Sequence, residues 1–223
     1  MHKYIVVFSK TGTVCYISHL DLMRFFKRAF KKADVRLVYS QGFNPHPKMG
    51  FGQPLSLGYS GLNEMIEFET EEDYEPDLLL RLMRQQMPDG LELKSCRRAD
   101  DMKKTLASMT DSAQYIITIP LREALEISAD EMKRTYMCRE TITALKKQKK
   151  KKEPVSVDIK PMIRDISFTV EQEALFITAD LDSGSTSNLS PELVIKTVTE
   201  ELGLDVERGE IEVVRTLINF HNM

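Results

Sequence analysis

A β-branched strand, a basic amphipathic helix, two further strands, a second helix and a closing strand follow one another in the first hundred residues, and a similar rhythm returns in the second half. With 42% apolar residues available to fill cores, this repetition predicts an α+β protein of two ferredoxin-like (βαββαβ) domains, antiparallel sheets with helices packed on one face. The expected domains are 1–100, an N-terminal unit with a prominent loop, and 101–223, a C-terminal unit. A single mixed α/β domain is the alternative.

YIVVF at 4–8 is rich in β-branched and aromatic residues, as a buried strand requires. The helix after it opens at SHLD, where Ser18 caps the first amides and Asp21 completes a capping box. Leu22, Phe26, Ala29, Phe30 and Ala33 recur at helical spacing, and Arg24, Lys27, Arg28, Lys31 and Lys32 fill the opposite side. VRLVY then returns as extended chain. A strand around 54–57 is expected to pair with EMIEFET at 64–70 across the turn residues of GYSGLN. Pro76 suits the first position of a second helix with Leu78, Leu79, Leu82 and Met83 inward, and LELKSC closes the first unit.

After a polar connection near 100–111, AQYIITI reads as a strand and 129–147 as a helical region with Met132, Tyr136 and Ile142 near its buried side. Residues 154–170 are extended chain around a bulge at Pro161, followed by the strand ALFITADL. Ser190 and Pro191 start a helix that Gly203 stops. The last strand, GEIEVVRTLI, puts Ile211 and Val213 on one side and Glu212, Val214 and Thr216 on the other, with the side of Arg215 left open.

The net charge of -3 conceals segregation: +7 over 1–60, -6 over 61–100, +5 over 101–152 and -9 over 153–223. The three cysteines, Cys15, Cys96 and Cys138, have neither metal-site nor redox-pair spacing. His2, His19, His46 and His221 are dispersed, so no metal site is expected. The opening residues lack a signal-peptide core, and no apolar run is long enough to span a bilayer, which predicts a cytoplasmic protein with no membrane partner.

The segment SQGFNPHPKMGFGQPLSLG at 40–58 holds four glycines and three prolines. Pro45 and Pro47 restrict the chain on either side of His46 and present Lys48 beside it. Phe43 and Phe51 either seat this loop on the core or stack on a base. A stiff connection, a phosphate contact through Lys48 with Asn44 and His46, and acid/base work by His46 are all open readings. His19, in the first helical turn, is a second candidate proton carrier or anion contact. The catalytic candidates are thus His19, His46 and Lys48.

Arg24, Lys27, Arg28 and Lys31 form a basic face attractive to a nucleic-acid backbone, against the plainer reading of solvated surface. KKQKKKK at 146–152 adds unspecific positive charge. LDSGSTSNLSPELV offers a flexible connection or a backbone anion pocket that Arg164 and Arg215 would join.

The segments YISHLDLMRFFKRAFKKA, YSQGFNPHPKMGFGQPLSLG, LDSGSTSNLSPELV and VVRT resemble the bacterial radical-SAM-linked protein family of unknown function, over nearly the whole chain. The resemblance marks Ser18, His19, Asp21, Arg24, Gly42, Phe43, Asn44, Pro45, His46, Pro47, Lys48, Gly58 and Glu64, and later Gly184, Asn188, Pro191 and Arg215, as signature positions. It implies work beside a radical-SAM enzyme. This chain contains no CxxxCxxC motif, so SAM and an iron-sulfur cluster are expected only on a separate partner, with no cofactor on this chain.

The leading functional expectation is an RNA-interacting accessory protein that positions tRNA or rRNA for a radical-SAM or other modification enzyme. An RNA-modifying or RNA-cleaving enzyme using His46 and Lys48 is the first alternative. A protein-interaction scaffold that meets no nucleic acid is the second.

Overall fold

The computed structural model describes residues 1–146, 153–171 and 173–221, so all of KKQKKKK except Lys146 lies outside the described residues. The fold is mixed α+β. The chain divides into two compact units, Met1–Asp111 with Arg215–Met223, and Ser112–Val214. Against the expected division at 100, residues 101–111 go with the first unit because they cap its sheet: Leu106 N donates to Glu67 Oε1 at 3.0 Å and Thr110 Oγ1 to the Gly52 carbonyl at 2.8 Å. The last strand returns there through Arg215.

The first unit contains β1 (His2–Lys10), α1 (His19–Lys32), β2 (Met49–Phe51), β3 (Ser60–Thr70), α2 (Pro76–Arg84), β4 (Leu91–Arg98) and α3 (Leu106–Met109). β1 lies between β4 and β3, antiparallel to both. β3 also takes the short β2 antiparallel through Ile66, Glu67 and Phe68. The alternation of β1 sends Tyr4, Val6 and Phe8 into a core shared with Phe26 and Phe30 of α1 and Leu79, Leu80 and Met83 of α2, so both long helices cover one face. Ile5 points the other way, into a smaller cluster with Ala99, Leu106 and Met109.

Three local expectations change here. The strand before the hairpin is Met49–Phe51 and not 54–57, because Gly50 and Phe51 have backbone partners on β3 whereas Pro54 has no amide to donate. VRLVY makes only isolated bridges, Leu37 with Thr70 and Tyr39 with Pro47. In α2, Leu80 is buried in place of Leu78, which is exposed.

The second unit contains β5 (Thr110–Pro120), whose first two residues belong to the first, then α4 (Ala129–Cys138), β6 (Thr143–Lys146), β7 (Val155–Asp158), β8 (Ile163–Glu171), β9 (Ala174–Asp182) and α5 (Pro191–Leu202). β9 is central, antiparallel to β5 and β8. The helical expectation at 129–147 is corrected: α4 stops at Cys138, and 143–146 pairs as β6 with β7 in a separate hairpin. The β-branched Thr141, Ile142 and Thr143 favour extension there. Pro161 sits in a 3-10 turn, and the register shift falls between Ile163 and Asp165. Tyr136 joins the two helices, its hydroxyl 2.7 Å from Thr197 Oγ1, and burial pushes its phenol up to about 12.

The final strand, β10 (Glu212–Phe220), starts in the second unit and ends in the first. There Arg215, 1% exposed, meets Glu64 of β3, 5% exposed. Nε donates to Oε1 at 2.9 Å and Nη2 to Oε2 at 2.5 Å, while Nη2 and Nη1 reach the carbonyls of Gln53 and Pro54 at 2.8 and 3.3 Å. Gly61 makes room: a Cβ there would lie 2.5 Å from Glu64 Oε1.

Removing one partner of such a pair strands a buried charge. Arg215→Met is therefore expected to lower unfolding free energy by about 3–5 kcal/mol in urea titration, and the double variant Arg215→Met/Glu64→Leu to recover most of that loss. A single variant as stable as the parent would contradict this role.

Candidate nucleic-acid interface

The basic face of α1 is set by its start. Ser18 Oγ accepts from the Asp21 amide at 3.2 Å and donates to Asp21 Oδ2 at 2.7 Å. The same carboxylate holds Arg24 Nη1 at 2.9 Å, and these two hydrogen bonds, Ser18 first, lower the Asp21 pKa. Arg24 is thereby partly neutralised, whereas Lys27, Arg28, Lys31 and Lys32 are exposed further along the helix. Lys27 Nζ stands 5.7 Å from the centre of the Tyr39 ring, within cation–π range. Lys27, Lys31, Arg36 and Tyr39 line a cleft of about 300 Å³ that Asp34 and Glu71 also border.

Tyr39 is also where the signature loop begins. It bridges to Pro47, the Ser40 amide donates to the His46 carbonyl at 2.8 Å, and the His46 amide donates to Ser40 Oγ at 3.0 Å. The Lys48 amide closes the neck on Val38 O at 2.8 Å. Gly42 takes φ 129°, open only to glycine without strain. Phe43, Asn44 and His46 are exposed on this closed turn, while Phe51 is buried.

Lys48 Nζ pairs with Glu69 Oε2 at 2.9 Å, and on the next β3 position of that face Glu67 Oε2 lies 2.7 Å from Lys3 Nζ. These groups and His46 line a cleft of about 440 Å³ over Met49, Phe51 and Phe68. It has the size of a small-ligand pocket, with two lysine–glutamate pairs at an apolar floor.

His19 occupies different surroundings. Its ring meets the edge of Phe51 at 5.3 Å, and burial first, then the charge of Lys10, lowers its pKa. Lys10 is itself buried at the end of β1, donating from Nζ to the carbonyls of Cys15 and Ile17 at 3.1 and 3.0 Å. Burial lowers the lysine pKa, with Arg215 acting in the same direction and Glu64 opposing it. Lys10 thus fixes the turn that delivers Ser18 and His19.

Two expected phosphate contacts are engaged by groups of the protein itself. Arg215 is enclosed by Glu64 and two carbonyls, since its alternation with Ile211 and Val213 turns it inward. Arg164 Nε holds Asp182 Oδ1 at 2.8 Å. Asp182 also accepts from Ser187 Oγ at 2.6 Å, and the loop closes where Gly184 N meets Ser187 O. The segment read as an anion pocket is organised around a carboxylate.

Sequence reasoning missed Lys10, Tyr39 and Glu69 as determinants of this surface. Lys10 and Glu69 had a signal, each being a charge within a strand pattern, but their partners lie on other segments. Among the described residues no group of three or more His, Cys, Asp or Glu side chains is placed to hold a metal ion, and no helix is long and apolar enough to cross a membrane.

A mixed α+β unit that presents a basic helix beside a braced, exposed loop is the class this surface defines. The chain belongs to a family described as an uncharacterized protein conserved in bacteria (DUF2344), whose model matches residues 3–191. No curated protein matches it. Among solved structures, an unknown protein from Galdieria sulphuraria is 14% identical, with 97% of this chain and 99% of that chain covered and a TM-score of 0.28, too low to define a shared fold.

The lowered His19 pKa fixes a sign. The unfolded chain binds the proton more readily, so this contribution to stability is present above about pH 6.5 and is lost as pH falls toward the folded-state value. An NMR titration should give a His19 midpoint below about 6.5, and His19→Gln should flatten the acid-side decline in urea midpoint between pH 7 and 5. A midpoint at or above the ordinary value would refute this placement.

Proposed function

We propose that this chain binds RNA and works beside a separate RNA-modification enzyme, with tRNA or rRNA as substrate and a radical-SAM enzyme as the partner class. One observation carries the reading: Lys27 sits over Tyr39, and Tyr39 bridges to Pro47 between His46 and Lys48. The cationic helix and the stiff loop are therefore neighbours on one unit, where they can contact a phosphate backbone together. SAM and an iron-sulfur cluster belong to the partner in this reading, and the setting is cytoplasmic.

The finer fold reading has support as well. In the first unit, β4, β1 and β3 lie side by side, β3 also takes β2 and β10, and α1 and α2 cover one face, an arrangement that supports the ferredoxin-like reading. In the second, β5, β9 and β8 lie side by side with α4 and α5 joined through Tyr136. Such sheets lend surface but do not specify function.

A second reading, an RNA-modifying or RNA-cleaving enzyme, is favoured by the cleft that His46 and Lys48 share with Glu67 and Glu69. There His46 would exchange the proton and Lys48 would meet a developing phosphate charge. The scaffold reading has less to draw on, because the Glu201 side chain is 14% exposed and held by Arg139 at 2.7 Å.

Lys27→Glu/Lys31→Glu should weaken RNA binding at least about tenfold in low salt and reduce the slope of log affinity against log salt by about 2, near one per lost lysine contact. Anisotropy of labelled tRNA and rRNA fragments measures both. Parent protein that retains no RNA at low salt would end the proposal. RNA that returns chemically altered, with the change lost in His46→Ala, would move the assignment to the enzyme.

A further inference from the structure

We infer that the loop tip binds an unpaired stretch of RNA, with one base stacked on Phe43; this rests on the RNA-binding reading above and names its substrate class. The two phenylalanines of the signature loop have opposite fates. Phe51 is 8% exposed and packs edge-on against Phe8, Phe26 and His19. Phe43 is 109% exposed, more open than in an extended peptide. The core therefore accounts for one ring and leaves the other without any folding role.

The backbone around Phe43 is closed at its neck by Ser40 and His46 in both directions, at 2.8 and 3.0 Å. Such bracing holds the ring outward before any ligand arrives, which reduces the ordering cost of binding. The chemistry beside it is cationic and polar: Asn44, His46 and Lys48 follow within five residues, and Lys27 stands over Tyr39 at the base of the turn. An apolar protein groove would have to desolvate these groups. A single strand satisfies both parts, because every base offers a π-face and its phosphates meet the lysines.

A duplex keeps its bases stacked on one another and offers Phe43 no free face. Paired RNA is therefore bound by charge through the basic groups of the helix and loop, without Phe43.

The chain contains no tryptophan, so Phe43→Trp installs a single reporter at the tip. Its emission is expected to be quenched saturably by short oligoadenylate or oligouridylate and not by a duplex of equal length. Phe43→Ala should weaken unpaired RNA by about five- to a hundredfold, leave duplex affinity unchanged, and keep the urea midpoint of the parent. If the parent binds unpaired RNA while Phe43→Trp stays unquenched and Phe43→Ala binds equally well, the stacking assignment is overturned and RNA binding stands. If the parent binds neither form at low salt, both fall. Equal quenching by duplex and single strand would overturn the preference for unpaired bases.

Discussion

The buried pair between Glu64 and Arg215 is the constraint on which the first unit is organised. It joins positions 151 residues apart, so the last strand must return to β3 before either charge has a partner. Placing two ions out of water is costly, and only the two-pronged contact with added carbonyl acceptors offsets it. That requirement selects a single register for β10 beside β3, since a slip by one residue would turn Arg215 to the opposite face. Lys10 extends the same polar interior to the entrance of α1, where its ammonium is held by two carbonyls.

From that interior the candidate surface is built outward. Lys10 fixes the turn, Ser18 caps α1, and α1 aligns its lysines over Tyr39. Tyr39 then bridges to the proline beside His46, so the loop inherits its position from the helix. Charge on this surface is partly offset at Arg24 by Asp21 and at Lys48 by Glu69. Exposed pairs of this kind contribute little to stability because water screens them, so they can open to a stronger anion without loss of the fold.

Much of the secondary structure was legible from residue pattern. The Ser18 cap, the apolar stripe of α1, the Pro191 start and Gly203 stop of α5, and the shared side of Ile211 and Val213 all follow from local periodicity and capping chemistry. The errors fell where local signals were weak or competed. Met132, Tyr136 and Ile142, read as one buried side, suggested a helix as far as 147, yet β6 pairs with β7 because β-branched residues and a partner strand outweigh helix propensity there. Met49–Phe51 became the strand before the hairpin because β3 offered it free backbone groups.

The candidate site divides in the same way. Sequence alone determined that a basic helix face and a proline-bounded histidine–lysine turn exist, since helical spacing and the fixed φ of proline are properties of the chain itself. Only the tertiary structure decided that these two features adjoin through Tyr39, that Phe51 is buried and Phe43 is not, and that Arg215 serves Glu64. Those outcomes depend on which distant residue lies opposite each side chain. Burial and pairing are relations between segments, and no single segment carries them.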